Sequence, residues 1–516
     1  MRQAVLMAGR AIGRGRLRAG VGVWAAIACS LPTFAQELRM PNIFGDHMVL
    51  QREQVNPIWG KAAADAEVTI KLADKSSKVR SDAEGNWRGE LPSMPAGGPH
   101  KLTVRSGDKT VEVSDILVGE VWVCSGQSNM QWTVASSEDF PLEQLAADYP
   151  QIRMINFPQV GSQEPVYTHD RPWMVAGPET VGSFSAVGYF FGRQLHQTLD
   201  VPVGLVNNAW GGSAAEAWVD RETLQESGKF DGMLARWEQT EKRFEELSNK
   251  SDLSDAEKKE LDNLRKSMGG NQRPANIYNG VLASHLGYGI RGAIWYQGES
   301  NAGRAYQYRE LFPTMISLWR QRWNQGDFPF YWVQLADYME EKTEPGESGW
   351  AELREAQTMT LDRLENVGQA VIIDIGEGKD IHPRNKVEVG RRLARLALRN
   401  EYGYKLAADS PRFASMEVEG DAAILNFSDV GKGWRPFDVK NPQGFTVAGE
   451  DKKFHEAQAE IMKDNRIRAR AEGVDKPVAV RYGWADNPVV NLYNQDDLPL
   501  TPFRTDDWPG VTADKQ

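Results

Sequence analysis

Cysteine and histidine are scarce in this chain, whose 516 residues include two cysteines and seven histidines. No His-x-His, His-Glu-x-x-His or Cys-x-x-Cys spacing occurs, and these are spacings typical of zinc sites. There is also no glycine-rich loop ending in lysine of the kind that binds nucleotide phosphates. The sequence therefore predicts a protein with no catalytic metal and no cofactor.

Long apolar segments are missing as well. The apolar stretch 19–31 is too short for a membrane-spanning helix of about 20 residues. It follows five arginines and precedes Thr33-Phe34-Ala35, which together form the pattern of a secretory signal peptide. We therefore expect a signal peptide at residues 1–35 and a mature protein that is periplasmic or secreted.

Removal of a signal peptide would leave one cysteine, Cys124, because Cys29 would be lost with it. No intramolecular disulfide could then form. Cys124 ends the apolar run Val121-Trp122-Val123-Cys124. A cysteine in such a run is more often a small core residue than a nucleophile, so we expect it to be buried.

Clusters of lysine and arginine with interleaved aromatic residues are absent too. The full chain has 60 basic and 71 acidic residues, and loss of the five N-terminal arginines would leave 55 and 71, a net charge of −16. A protein this acidic repels phosphate backbones and anionic membranes. We therefore expect no nucleic-acid partner, and no membrane partner after signal removal.

The mature chain divides into three regions by its patterns. Residues 36–118 show short alternating strands separated by turn clusters, which predicts an N-terminal β-rich accessory region. Residues 119–403 alternate buried strands with helices, and residues 404–516 return to a β-rich pattern. The predicted buried strands are 120–124, 203–206, 292–296, 330–335 and 370–375, and the predicted helices are 186–198, 309–323, 351–364 and 387–398.

This order predicts an α/β fold with a doubly wound parallel sheet, and β-sandwich regions at both ends of the chain. Functional residues of such a sheet belong at the carboxyl ends of its strands. The highly charged stretch from Glu238 to Lys266 has no strand pattern. It predicts a solvated helical hairpin inserted at about residues 234–270.

Three short motifs follow three of the predicted strands. The first, Cys124-Ser125-Gly126-Gln127-Ser128-Asn129-Met130, passes through a glycine turn that would bring the Ser128 hydroxyl to the rim of the sheet. The second, Trp210-Gly211-Gly212-Ser213, has paired glycines that let backbone amides approach a ligand. The third, Trp295-Tyr296-Gln297-Gly298-Glu299-Ser300-Asn301, supplies side-chain amides. Each could be a simple turn, but together they predict a serine nucleophile with donors facing an oxyanion.

A serine hydroxyl needs a base before it becomes a good nucleophile. Asp380-Ile381-His382-Pro383 lies between the last predicted strand and the last predicted helix, and a residue before proline favours an extended backbone. His382 is therefore the candidate base. Asp380 is the nearest acid that could orient its ring; Asp374 is the competitor, and Asp380 could instead be only a helix cap.

In this order the motifs resemble those of the SGNH (GDSL-like) hydrolases, specifically the sialate O-acetylesterase-like group. The chain also resembles bacterial polysaccharide acetylesterases. That resemblance implies a three-layer α/β/α, flavodoxin-like sheet. It covers nearly the whole mature chain. Further segments that look like landmarks of the group are Phe44-Gly45-Asp46-His47-Met48-Val49-Leu50-Gln51, Gly119-Glu120-Val121-Trp122, Tyr278-Asn279-Gly280, Leu353-Arg354-Glu355-Ala356-Gln357 and Pro502-Phe503-Arg504.

The resemblance implies Ser128 as nucleophile and His382 as base. It also implies an oxyanion hole built from the Ser128 amide, a glycine of the second motif and a side chain of the third. For the glycine we prefer Gly212 to Gly211. For the side chain we prefer Gln297, with Asn301 as second choice.

Two departures from the family pattern affect these assignments. SGNH enzymes commonly carry Gly-x-Asn-Asp in the third block, where this chain has Gln297-Gly298-Glu299-Ser300-Asn301. The usual Asp-x-x-His spacing would put the acid at Lys379, one residue before Asp380. A Ser-His dyad helped by a backbone carbonyl is therefore an alternative to a triad with Asp380.

The resemblance implies a carbohydrate O-acetylesterase that acts on sialic acids or on plant polysaccharides such as xyloglucan and xylan. Trp132, Trp210 and Trp295 lie in or beside the motifs and are candidate platforms for sugar rings. Two other hypotheses are a non-catalytic glycan-binding protein on the same fold and a lipase or thioesterase.

Overall fold

The structure is a computed structural model that describes residues 37–515. The predicted signal peptide lies outside the described residues. Within the described range, no helix combines the length and the apolar character that a membrane span requires.

The N-terminal β region is built from short antiparallel pairs. β3 pairs with β4 and β6, and β2 pairs with β5. Along β3 and β5 every second residue is buried, so each strand has one face in a core and one in solvent. The strands are β1 (Val49–Gln51), β2 (Asn56–Lys61), β3 (Glu67–Leu72), β4 (Lys75–Arg80), β5 (Asn86–Leu91), β6 (Gly97–Ser106) and β7 (Lys109–Gly126).

β7 is long because it belongs to two regions. Its first half is antiparallel to β6, with Ser106 opposite Lys109. Its second half is parallel to two strands of the central region, with Glu120 opposite Val203 and Trp122 opposite Gly292. One strand thus runs through the position at which the sequence pattern changes.

The central α/β region alternates helices and strands. Its elements are α1 (Ser128–Gln131), α2 (Phe140–Leu145), β8 (Tyr149–Asn156), β9 (Met174–Ala176), α3 (Ala186–Leu199), β10 (Val203–Asn207), α4 (Arg221–Glu226), α5 (Asp231–Ser248), α6 (Asp255–Met268), α7 (Asn276–Gly280), β11 (Gly292–Tyr296), α8 (Ala305–Trp323), β12 (Phe330–Val333), α9 (Gly349–Met359), β13 (Val367–Ala370) and α10 (Lys386–Asn400).

The strands of this region form a sheet in the order β13-β12-β11-β7-β10-β8-β9. All neighbouring strands are parallel except β8 and β9, so the predicted α/β fold is confirmed but its sheet is mixed rather than wholly parallel. The crossover order places β7 between β10 and β11, near the middle of the sheet.

The predicted strands differ from the structure in several details, of which two matter most for the sheet. β8 was not predicted, because Pro150 and Arg153 interrupt its apolar pattern. The last strand, predicted at 370–375, ends at Ala370. The Val371 carbonyl accepts a hydrogen bond from the Arg392 guanidinium at 2.6 Å instead of pairing with a strand.

Helices cover both faces of the sheet. The Trp122 ring packs on Phe191 of α3, at 5.0 Å between ring centroids. The Trp295 ring packs on Trp319 of α8, at 5.8 Å. Trp295 lies opposite Ser125 in the sheet, so it points to the face that Trp122 does not occupy.

The charged stretch at 234–270 contains most of α5 and all of α6. α6 begins with a capping box, in which the Ser254 hydroxyl and the Glu257 carboxylate each accept a hydrogen bond from the other residue's backbone amide. Arg243 of α5 forms an ion pair with Glu260 of α6 at 2.8 Å. Both helices are largely polar, with Leu247 and Leu261 among their few buried residues.

The C-terminal β region forms an antiparallel sheet in the order β14-β15-β19-β18-β17-β20-β22, with β16 and β21 as a separate pair. Its strands are β14 (Arg412–Glu419), β15 (Ala422–Ser428), β16 (Trp434–Pro436), β17 (Phe445–Ala448), β18 (Phe454–Ile461), β19 (Ile467–Ala471), β20 (Ala479–Tyr482), β21 (Leu492–Asn494) and β22 (Phe503–Arg504). Arg504 of this region forms an ion pair with Glu355 of the central region at 2.7 Å. Both residues lie in segments that resemble family landmarks.

Candidate active site

Ser128 lies at the carboxyl end of β7, where the strand turns into α1. Gly126 has φ +133°, and a Cβ on it would lie 2.2 Å from the Tyr296 carbonyl oxygen. The turn therefore needs a glycine, because the backbones of β7 and β11 approach too closely for a side chain. The Gln127 amide donates to the same carbonyl at 2.9 Å, and Ser128 follows, partly exposed.

The second motif packs directly on Ser128. A Cβ on Gly211 would lie 3.4 Å from Ser128 Cβ, so the two residues are neighbours. The Gly211 amide donates to Gln131 Oε1 at 2.7 Å. The Gly212 amide, by contrast, has no hydrogen-bond partner within residues 37–515, and its φ of +72° is one that glycine adopts readily. Of the two glycines, Gly212 is thus the one with an unused donor.

The third motif is held in place by its own amides. Gln297 is fully buried, and its Nε2 donates to the Ser213 carbonyl at 3.0 Å and to Asn301 Oδ1 at 2.7 Å. Asn301 Nδ2 in turn donates to Glu216 at 2.9 Å. The structure does not support Gln297 as an oxyanion donor, because both its N–H groups are already donated. Asn301 is also buried, and its side-chain oxygen accepts from the Ala215 amide at 2.9 Å as well as from Gln297.

His382 lies in the loop before α10 and contacts the residues around Ser128. The Asn129 side-chain amide donates to the Ile381 carbonyl at 2.9 Å. The Trp132 ring is stacked on the His382 ring, with 4.8 Å between centroids and 13° between planes. Two side chains from the beginning and end of the α1 turn thus hold the loop that carries the predicted base.

The electrostatic surroundings of His382 favour its neutral form. Burial lowers its pKa, the nearby Asp380 carboxylate opposes that shift, and the Lys386 ammonium adds to it. The net pKa lies below the usual value for histidine. At neutral pH the imidazole is therefore unprotonated, as a general base must be.

The structure separates the two candidate acids. Asp380 Oδ1 lies 3.4 Å from His382 Nδ1 and also accepts the His382 backbone amide at 2.9 Å. Asp374 instead receives two hydrogen bonds from Arg392, at 2.6 and 2.7 Å, and is almost fully buried. Asp380 is thus the carboxylate beside His382. Lys379, where the family spacing would put the acid, lies in the tight turn that Asp380 closes by donating to the Glu377 carbonyl.

The three candidate tryptophans have different environments. Trp210 is partly exposed beside the second motif. Trp132 is partly exposed, but one face of its ring covers His382. Trp295 is fully buried in an aromatic core with Trp218 and Trp319, so the structure does not support a contact with substrate. A strand places successive side chains on opposite faces, and the position of Trp295 in β11 puts its ring on the face that α8 covers.

The predicted burial of Cys124 is confirmed. The side chain is fully buried, and burial raises the pKa of its thiol. It is therefore a core residue without the thiolate character that a nucleophile needs.

Two charged residues near the site were not predicted to have a role. Lys386 is fully buried, and its Nζ donates to Asn129 Oδ1 at 2.6 Å. Glu299 Oε1 accepts from Asn129 Nδ2, also at 2.6 Å. The sequence signal for Lys386 is weak, because a lysine in the first turn of a helix is usually exposed.

Comparisons with known proteins show which family this chain resembles. The family model described as "Carbohydrate esterase, sialic acid-specific acetylesterase" matches residues 118–249 and 272–399. The interruption between the two matched segments contains α6. The matched segments include the three motifs and the His382 loop.

Individual relatives cover more of the chain. Mouse sialate O-acetylesterase is 32% identical over 429 residues, which is 76% of this chain and 78% of the relative. The human sialate O-acetylesterase is 28% identical over 535 residues, covering 92% of this chain and 94% of the relative. A carbohydrate acetylesterase of known structure from Xanthomonas citri is 38% identical, covers 91% of this chain and 100% of its own, and superposes with a TM-score of 0.79.

The family model matches most of the α/β region that carries the site, and the relatives extend the similarity into the flanking β regions. The chain therefore belongs to the sialic acid-specific acetylesterase family of carbohydrate esterases, and it is a carboxylic ester hydrolase.

Proposed function

We propose that this protein is an exported carbohydrate O-acetylesterase with the layered fold of SGNH hydrolases, in which Ser128 is the nucleophile and His382 the general base. One observation carries the proposal. Asn129 directly follows Ser128 in α1 and contacts Ile381, and Trp132, just after α1, contacts His382. The nucleophile turn and the base loop therefore share one edge of the sheet.

The reaction then proceeds in two stages. His382 accepts the Ser128 hydroxyl proton as Oγ attacks the acetyl carbonyl carbon, and the tetrahedral intermediate collapses as His382 returns that proton to the departing sugar oxygen. Water next attacks the acetyl-enzyme, with His382 again taking and returning a proton. The products are acetate, the free sugar hydroxyl and the regenerated serine.

The backbone amides of Ser128 and Gly212 are the donors that we assign to the oxyanion. Neither has a hydrogen-bond partner within residues 37–515, so both are available to a ligand. Gln297 contributes indirectly, because it holds the Ser213 carbonyl next to Gly212. Loss of one oxyanion donor typically costs about 2.7–4 kcal/mol of barrier stabilisation.

Asp380 completes the proposed triad. Its carboxylate stabilises the imidazolium that forms when His382 takes the proton, since it raises the pKa of the ring against the effect of burial. Asp380 is about half exposed, so water screens part of this interaction.

The proposed substrate is an O-acetylated sugar, in sialic acids or in plant polysaccharides such as xyloglucan and xylan. The mammalian relatives are sialate O-acetylesterases and the Xanthomonas citri relative is a carbohydrate acetylesterase, which supports this class. Trp210 and the outer face of Trp132 are the partly exposed rings that we assign to sugar contact. The predicted signal peptide supports a periplasmic or secreted location.

The decisive experiment is Ser128→Ala, measured by acetate release from 4-nitrophenyl acetate. We expect a fall in kcat of about 10⁶-fold, as for other serine nucleophiles. Ser136→Ala is the matched control, because Ser136 is an exposed serine just beyond α1 and its carbonyl, which accepts from Trp132, is kept. Turnover by Ser128→Ala at the level of the control would refute the proposal.

Substrate class needs a second experiment. Rates on acetyl, butyryl and octanoyl esters separate an acetylesterase from a lipase or thioesterase, and we expect the acetyl ester to be the fastest. Mass spectrometry of acetylated sialic acids and of xyloglucan and xylan oligosaccharides then identifies which sugar loses acetate. Binding of these glycans without acetate release would indicate a glycan-binding protein instead.

A further inference from the structure

A charged group is buried beneath the candidate active site. Lys386 is the first residue of α10, and none of its surface is exposed. Its ammonium lies 5.2 Å from the centre of the Tyr296 ring, at the end of β11. Burial lowers its pKa to about 7, with the Glu299, Glu377 and Asp380 carboxylates opposing that shift. A buried lysine is costly in free energy unless polar groups around it compensate for the loss of water.

A carboxylate lies on the other side of the same amide. Glu299 Oε1 accepts from Asn129, while its Oε2 is inaccessible to solvent and has no partner within residues 37–515. Burial raises the pKa of Glu299, and the hydrogen bond from Asn129 only partly opposes this.

Asn129 connects the two charges. Its side-chain oxygen accepts a hydrogen bond from the Lys386 ammonium at 2.6 Å, and its amide nitrogen donates one to Glu299 at 2.6 Å. The positive end of the amide dipole faces the carboxylate and the negative end faces the ammonium, so the two charges determine which way the amide points. The second N–H of that amide then reaches the Ile381 carbonyl at 2.9 Å.

Asn129 and its partner Ile381 are each bonded in the chain to one of the two proposed reacting residues. Asn129 follows Ser128 directly, and Ile381 precedes His382 directly. A rotation of the Asn129 amide would release the Ile381 carbonyl and with it the loop that carries His382. A displacement of about 1 Å between catalytic groups can cost about 100-fold in rate.

We propose that Asn129, Glu299 and Lys386 form a buried positioning cluster, which holds the Ser128 turn and the His382 loop at the separation that proton transfer requires. The inference rests on the proposed function, because it assumes that Ser128 and His382 react. None of the three residues touches the reacting atoms in this scheme. They act through the orientation of one amide.

The test is Lys386→Met, which keeps the length of the side chain and removes its charge. We expect kcat for 4-nitrophenyl acetate to fall about 10- to 100-fold with KM within about threefold, because positioning rather than binding is lost. The acidic limb of the pH profile of kcat/KM should also move to higher pH. The Lys386 cation lowers the pKa of His382, whereas Asp380 raises it, so removing the cation lets that pKa rise.

Arg320→Met is the matched control for loss of a buried cation. Arg320 is nearly buried in α8, and its guanidinium donates to the carbonyls of Phe328 and Asn366, near the amino end of β12. We expect this variant to lower the stability of the protein and to leave the acidic limb where it is. A purely structural role for Lys386 would make the two variants behave alike.

Glu299→Gln is the second variant, and it tests the positioning role of the cluster if Lys386→Met does not fold. Its side-chain oxygen can still accept from Asn129, but the charge that orients the amide is gone, so we expect about a 10-fold lower kcat. If a folded Lys386→Met, or failing that Glu299→Gln, retains kcat within twofold and an unchanged acidic limb, the cluster has no positioning role. If Ser128→Ala also retains activity, the proposed function fails instead.

Discussion

Glu120 and Glu299 are carboxylates shielded from solvent at opposite ends of the same central sheet. Glu120 lies at the amino end of the parallel half of β7, opposite the first residue of β10. Glu299 follows β11 at the carboxyl end. Both are part of segments that resemble family landmarks, so their sequence contexts do not distinguish them.

Glu120 is fully paired. It receives hydrogen bonds from Arg52 at 2.5 Å, from Arg291 at 2.8 Å and from Gln51 at 3.1 Å. Burial alone would raise its pKa, but Arg291 and Arg52 outweigh burial and hold the pKa below the usual value. Since Arg52 and Gln51 come from the N-terminal β region, this carboxylate joins that region to the central sheet.

Glu299 is only half paired. One oxygen accepts from Asn129, the other has no partner in the described part of the chain, and its pKa is raised. The difference teaches that the amino end of the sheet is arranged for stability. The carboxyl end instead tolerates an electrostatic cost, which is typical of sites that serve chemistry. Variants at the two ends should therefore separate activity from stability.

The largest effect is expected at the carboxyl end, for His382→Ala. We expect kcat to fall by about 10⁴- to 10⁶-fold, because in the proposed mechanism His382 takes the Ser128 proton. The free energy of unfolding should change by less than about 1 kcal/mol, because the ring is partly exposed. Ester hydrolysis and urea denaturation measure the two quantities. A large stability loss would remove the contrast between the two ends of the sheet.

The matching variant at the amino end is Glu120→Gln, with the opposite expected outcome. Two arginines would lose their shared carboxylate, so we expect the free energy of unfolding to fall by about 3–5 kcal/mol. The kcat of the folded fraction should stay within about twofold of the unsubstituted protein, because the site lies at the other end of the strand. Denaturant unfolding and kinetics on the same preparation test both statements. A loss of kcat in fully folded protein would contradict them.

Asp380→Asn should have an intermediate effect. We expect kcat to fall by about 100-fold, less than the ~10⁴-fold known for a buried triad aspartate, because Asp380 is half exposed. Since Asp380 raises the pKa of His382, the acidic limb of kcat/KM should move to lower pH. This is opposite in direction to the shift expected for Lys386→Met.

Asp374→Asn is the control for that experiment. It breaks the ion pair with Arg392 and should lower stability without moving the acidic limb. A limb that moves with Asp374→Asn and not with Asp380→Asn would reverse our choice of acid.

The smallest effect is expected for Trp132→Leu. The variant removes the ring stacked on His382, and such aromatic pairs contribute about 0.5–1.5 kcal/mol. This corresponds to about a 2- to 10-fold lower kcat. Trp132→Phe should recover most of the loss, because a ring is restored. Equal kcat for the Leu and Phe variants would show that the ring stacked on His382 does not contribute to kcat.

Much of the fold could be predicted from the sequence. The alternation of buried strands with helices predicted the α/β region. The strands β10 and β11 and the helices α3, α8, α9 and α10 lie close to their predicted positions. These features depend on local periodicity, which neighbouring residues set. β8 was missed because Pro150 and Arg153 break that periodicity, although its pairing with β10 makes it part of the sheet.

The site was predicted in part, for the same physical reason. The order of the motifs predicted which strand ends would meet, and the structure brings the Ser128 turn, Gly211 and the His382 loop together there. Which way each side chain points could not be predicted. Trp295 and Gln297 lie in a motif but face inward, because pleating and packing decide the direction of each side chain.

By itself, then, the sequence determined the secondary-structure pattern, the strand ends that carry chemistry and the candidates Ser128 and His382. Only the tertiary structure decided the partners of the charged groups. Lys386 contacts Asn129 across 257 residues of sequence, and Glu299 contacts it across 170. No local pattern encodes such a contact, because it exists only once the sheet has brought its carboxyl ends together and excluded water from the groups between them.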